Sequence, residues 1–245
     1  ALAVARLAGS LPDRAVLGRW LTSGDFRVDL VFATDGLSLA LAVLASLLCL
    51  FVMRFAVNYM HREAGFHRLF MVLSLFAAAM LLLVTGGNAA LAFVGWEVAG
   101  LCSYLLISFF RDRPVAVGNA TRVFVTNRVG DAGFLLGIAL SFYWLGGADW
   151  GTITAGAAGS SATRTGILAG CFLLAAMVKS AQVPFAPWLA RAMEGPTPSS
   201  ALFYGAVMVH AGVYLVLRLE PLFEQSPAAM AAMAAVGLAT ALYGF

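Results

Sequence analysis

The sequence predicts an all-α, polytopic transmembrane helical bundle with one broken helix. Three observations carry that reading. Of the 245 residues, 62% are hydrophobic and only 11% charged, with mean hydropathy +0.90, whereas soluble domains carry about 25% charged residues. The apolar residues fall into runs close to the roughly twenty residues that a bilayer-crossing helix requires. A stretch with four prolines, Pro184 to Ser200, interrupts that pattern late in the chain. The net charge of +3 is small and the arginines are scattered between apolar runs. Such scatter suits loops at a lipid surface and leaves no nucleic-acid footprint.

Residues 1–30 read as a polar lead-in loop, with Asp13, Arg14, Arg19, Asp25, Arg27 and Asp29, and residues 31–245 as the transmembrane domain. Spans are expected at about 31–57, 69–84, 89–110, 117–145, 167–183, 201–219 and 228–245. Asp35 and Gly36 open the first, and Arg54, His61, Arg62, Glu63, His67 and Arg68 connect it to the uncharged second. Gly86, Gly87 and Asn88 give a very short turn into the third, which Arg111, Asp112, Arg113 and Pro114 close. The Gly/Ser/Thr/Ala-rich stretch 146–165 shows no helical period and reads as a loop. Pro184 to Ser200, with Trp188 as an interfacial aromatic, reads as a broken or half-length helix. Irregular backbone persists at membrane depth only where protein or a wet cavity covers it. The basic connections after the first and third spans are placed on the cytoplasmic side. Cys49, Cys102 and Cys171 all lie inside apolar runs, without metal-ligand spacing, and are expected as small apolar residues without a disulfide. No signal peptide is visible. A chain that starts without Met and stops inside an apolar run is expected to be a fragment of a longer protein.

Five ionisable residues lie deep in these spans: Glu97, Arg128, Asp131, Lys179 and His210. Lys179 is the only lysine, against fourteen arginines. At bilayer depth a lysine costs about 2.5–3.5 kcal/mol on the most lenient scales. Desolvation opposes its charge and a neighbouring carboxylate favours it, so a lysine poised between the two can load and release a proton. The plainer alternative is a lysine that snorkels from a helix end, since Pro184 follows closely. Arg128 and Asp131, three residues apart, share a helix face and can neutralise each other. Glu97 and Lys179 have no partner within a turn and must find one on another helix or in water. His210 carries an imidazole, the side-chain type that suits a proton relay, and it equally suits a satisfied core histidine. No Walker A loop, GxGxxG, CxxC or haem motif is present, so any redox centre is expected on partner chains, with no cofactor bound here.

The motifs Gly95-Trp96-Glu97 to Leu106, Asn127-Arg128-Val129-Gly130-Asp131, Lys179-Ser180-Ala181-Gln182-Val183-Pro184, Ala192 to Pro198 and Ala211 to Leu215 occur in one order. In them the chain resembles the antiporter-like membrane subunits of respiratory complex I, particularly the long distal one. The same fold serves Mrp-type sodium/proton antiporters and the membrane subunit of inorganic-carbon uptake complexes. The resemblance implies one half of an inverted-repeat transporter, in which discontinuous helices build ion sites. It further implies a multi-pass protein of the inner (plasma) membrane, acting as the proton-translocating subunit of a quinone-oxidoreductase-type assembly. Glu97 and Lys179 would form its central charged pair, modulated by Asp131 with Arg128, and His210 would pass protons on. The implied partners are other membrane subunits, with a soluble redox module or a zinc-containing carbon-uptake protein as the driving part. Complex I members usually carry histidine at the position of Tyr204 and threonine at that of His210. Here the histidine stands six residues along, about 9 Å and roughly 120° round a helix. Sodium coupling and a purely structural subunit, whose buried charges only fix helix register, are the rival readings.

Overall fold

The structure, a computed structural model, describes residues 5, 6, 9, 11–24, 26–203 and 207–244. Two antiparallel strands, β1 (Arg14–Ser23) and β2 (Phe26–Ala33), precede the helices, so much of the expected lead-in loop is a hairpin. The charged residues Arg14, Arg19, Arg27 and Asp29 stand on a ribbon whose inward side chains are Val28, Val31 and Ala33. A two-stranded ribbon is marginal alone. This one is anchored by the turn between the second and third helices, through Gly87 N–H to Val31 O at 2.7 Å and Asn88 Nδ2 to Asp29 O at 2.8 Å.

The long helices are α1 (Gly36–Tyr59), α2 (Phe66–Thr85), α3 (Ala89–Ile107) and α4 (Pro114–Leu145). A short α5 (Trp150–Ala158) then leads to α6 (Ala162–Lys179). Asp35 caps α1 by accepting from Ser38 N–H, so this helix starts five residues after the expected position, where β2 has ended. The stretch expected as an unbroken loop at 146–165 therefore contains a helix, pinned by Trp150 Nε1 to Gly86 O at 2.7 Å. After Lys179 come α7 (Pro187–Arg191), a single 3₁₀ turn (Ala192–Glu194) and α8 (Thr197–Ala201), the broken helix the prolines foretell. Trp188, expected at an interface, is instead buried and donates to Val178 O at 2.8 Å, satisfying a carbonyl at the end of α6. The expected span at 201–219 is also interrupted: among the described residues 207–209 are not helical, and the regular helix α9 runs only over His210–Arg218. A short α10 (Glu220–Glu224) and α11 (Pro227–Gly244) complete the described chain. Among the described residues six helices, α1, α2, α3, α4, α6 and α11, are long and apolar enough to cross a membrane.

Short turns make successive helices antiparallel, with α3 at the centre between α2 and α4 and with α6 against α4. One end of the bundle carries the hairpin, the 86–88 turn and α5, joined by Ala89 N–H to Ala148 O at 2.9 Å. The other end carries the charged connections and the broken segment, joined by Arg113 to Glu194 at 2.9 Å and Tyr59 to Thr197 at 3.1 Å.

Candidate functional site

Glu97 and Asp131 lie near the middles of α3 and α4, and Lys179 is the last residue of α6. The sequence places this lysine within a span; the structure places it where the helix stops. Close approach of three helices makes the meeting possible. A methyl group at Gly130 would lie 2.7 Å from Val178 Cβ, so only glycine lets α4 touch α6 one residue before Asp131. A methyl at Gly212 would lie 2.5 Å from Ala176 O, which seats α9 against the end of α6 in the same way.

Lys179 is 1% exposed, so it does not snorkel. Its Nζ donates to Trp96 O at 3.1 Å and sits 4.8 Å from the Trp96 ring centre, in cation–π range. Neither Glu97 nor Asp131 reaches ion-pair distance of it. The direct partner of Glu97 is Arg128, whose Nη1 donates to Glu97 Oε2. Arg128 Nη2 also stands 2.8 Å from Asp131 Oδ2, the expected pair three residues apart, although the angle is poor for a hydrogen bond. The expected Glu97–Lys179 pair is thus replaced by an arginine-centred arrangement: Arg128 bridges two carboxylates, and the lysine feels both at longer range. The physical reason is reach, since the bridging guanidinium of α4 lies between the carboxylates and turns one terminal nitrogen to each, Nη1 to Glu97 and Nη2 to Asp131.

Trp96 is the residue that sequence reasoning passed over. Its Nε1 donates to Asp131 Oδ1 at 2.6 Å while its carbonyl holds Lys179, so one residue touches both sides of the cluster. A buried tryptophan must place its N–H, and its position beside Glu97 was the available signal. The Glu97 and Arg128 side chains are 30% and 35% exposed, so this pair lies at the bundle edge, and Arg128 faces a groove between α4 and α6 lined by Val125, Gly133, Gly170 and Leu174. Lys179 and Asp131 lie inside.

His210 does not join this group. It begins α9 and faces a small cavity with Leu41, Ala45, Met80 and Val84. Among the described residues it is linked to the lysine through neighbours, Ser180 Oγ donating to Val209 O at 2.7 Å. Tyr204 lies outside the described residues.

Comparison with known proteins matches residues 86–245 to the family described as NADH:quinone oxidoreductase/Mrp antiporter, transmembrane, and residues 20–70 to the N-terminus of complex I chain 5. NAD(P)H-quinone oxidoreductase chain 5 of Synechocystis sp. is 44% identical over 92% of this chain and 34% of its own length. NADH-quinone oxidoreductase subunit L of Mycobacterium tuberculosis is 43% identical over 92% of this chain and 36% of its own. The chain therefore spans about a third of the length of these relatives. A chain of the Mrp complex from Dietzia sp. superposes with TM-score 0.80 at 29% identity, over 89% of this chain and 24% of that one.

Proposed function

We infer that this chain is the proton-translocating part of a membrane subunit, because it belongs to the NADH:quinone oxidoreductase/Mrp antiporter membrane family and encloses a lysine beside two carboxylates. The observation that carries the reading is the environment of Lys179. A lysine in a tight buried ion pair stays charged, because losing the proton would strand the carboxylate. Lys179 is instead held by a backbone carbonyl and an aromatic face, with Glu97 and Asp131 acting through space. Both protonation states can therefore be accommodated. The position of Arg128 sets the balance: engaged with both carboxylates it screens them from the lysine, and moved away it exposes them. A change of one pKa unit corresponds to about 1.36 kcal/mol, so a small shift of the guanidinium suffices to load or unload the amine.

In this reading the chain is a multi-pass component of the plasma membrane and holds no redox centre or cofactor. Its partners are other membrane subunits, with a soluble redox module or a zinc-containing carbon-uptake protein coupled through them. Lys179, Glu97, Asp131 and Arg128 form the relay, and His210 acts from outside the charged cluster. The test is proton flux into proteoliposomes holding the intact complex, wild type against Lys179→Ala, at matched assembly. A fall of at least tenfold with the complex intact is expected. Undiminished flux would make Lys179 a structural charge and this half of the bundle a scaffold.

A further inference from the structure

The inner face of α9 carries His210, Tyr214 and Arg218, spaced four residues apart and so stacked one turn above another. All three face α1. Arg218 makes a two-pronged contact with Asp35 at 2.6 and 3.1 Å and donates to Ser38 Oγ at 2.6 Å. Tyr214 is 1% exposed, and the Arg218 guanidinium lies 5.3 Å from its ring centre. Its hydroxyl is turned toward Ser38 and Arg218 but makes no well-aligned hydrogen bond. His210 Nδ1 and Arg218 Nε are likewise buried without a hydrogen-bond partner. Beside His210 lies a cavity of about 10 Å³, between Leu41, Ala45 and Val84, with room on the order of one water.

Two unpaired polar groups one turn apart on a helix face, His210 Nδ1 and the Tyr214 hydroxyl, are unusual, because each leaves a desolvation cost unrecovered. Ordinary packing would place leucine or phenylalanine at such positions. The row also has direction. Asp35 and Arg218 stand at the bundle end that carries the hairpin, and His210 stands about 12 Å deeper, eight residues along α9. There Val209 O accepts from Ser180, the neighbour of Lys179.

We propose that Ser38, Tyr214 and His210 form a proton-conducting column between α1 and α9, joining the hairpin end of the bundle to the break beside Lys179. Asp35 and Arg218 are its positioning pair: they hold the mouth and orient Ser38, whose oxygen accepts from Arg218 and whose own proton is free to be donated. Transfer along the column leaves the number of protons on each group unchanged, and the hydroxyls rotate and the His210 ring changes tautomer back before the next proton passes. Each hydroxyl accepts a proton on its oxygen as it releases its own, and His210 accepts at one ring nitrogen and releases from the other. This rests on the proton-translocating reading above, and it adds a route that the central cluster does not contain.

The test uses the intact complex in proteoliposomes and the Tyr214→Phe variant, which removes one oxygen and keeps the ring. Because that hydroxyl has no aligned partner, its loss is expected to leave thermal stability unchanged or raised. Flux at matched assembly is expected to fall at least tenfold; flux equal to wild type would overturn the column. Should this variant not assemble, His210→Ala decides. Loss of flux that added imidazole restores supports the column, and wild-type flux, or a loss that imidazole leaves in place, overturns it. Lys179→Ala separates the two ideas. If it abolishes flux while Tyr214→Phe does not, the column fails and the lysine relay stands; if it keeps flux while Tyr214→Phe abolishes it, the reverse holds.

Discussion

Trp96 does two jobs with two different atoms. Its indole N–H satisfies one oxygen of buried Asp131 and its carbonyl satisfies Lys179, so the lysine and the aspartate are coupled through one residue without touching. Trp96→Phe keeps the ring under Lys179 and the backbone carbonyl but leaves Asp131 Oδ1 without a donor. A hydrogen bond to a charged group contributes about 1.5–3 kcal/mol. Chemical unfolding of the purified protein should report a loss in that range, with Lys179 still enclosed. The Glu97–Arg128 pair is about one-third exposed, so its removal should cost less in stability than its closeness suggests, because solvent screens it.

At the scale of elements, two interruptions face each other: α6 stops at Lys179 and α9 starts at His210. Ser180 joins them by binding Val209 O, and Gly212 allows the contact. The far end of α9 is tied to α1 by Arg218 and Asp35. Burial pushes the Asp35 carboxyl up, but the Arg218 guanidinium and the Ser38 N–H outweigh it and hold the group below its ordinary value of 3.8. A carboxylate lowered on folding contributes stability that is complete above its unfolded pKa and is lost as pH falls through the lowered folded value. Asp35→Asn should therefore lower the thermal midpoint at pH 6, and the gap from the parent should close below about pH 4. A gap that stays constant across this range would mean that the ion pair does not tie α9 to α1.

The whole molecule is asymmetric between its two ends. The hairpin, the 86–88 turn and α5 seal one face with backbone hydrogen bonds and carry Arg14, Arg19 and Arg27 beside Asp13 and Asp29, whereas Arg54, Arg62, Arg68, Arg111, Arg113 and Arg191 populate the other. Loops rich in arginine are retained on the cytoplasmic side. In a variant with a single added cysteine, Thr22→Cys should react with an impermeant maleimide in whole cells, and Glu63→Cys only after permeabilisation; both positions are exposed. The opposite pattern would invert the bundle and place the mouth of the α1–α9 column in the cytoplasm.

By itself the sequence determined the membrane class, the positions of most spans, the break after Lys179 and that Lys179 and Asp131 belong to the interior. These depend on local composition: apolar runs of bilayer length, prolines that cannot continue a helix, and charges too costly to leave in lipid. The tertiary structure alone decided who partners whom. Arg128 takes Glu97 because of how α3 and α4 are rotated, and Lys179 turns to the Trp96 carbonyl because Gly130 and Gly212 let its helix end there. Neither rotation nor approach is written in a single segment. The hairpin was hidden for the same reason, since its anchor is the turn at 86–88, more than fifty residues away. So was the interruption at 207–209 before α9, in an apolar stretch without proline, where Ser180, just past the end of α6, binds Val209 O.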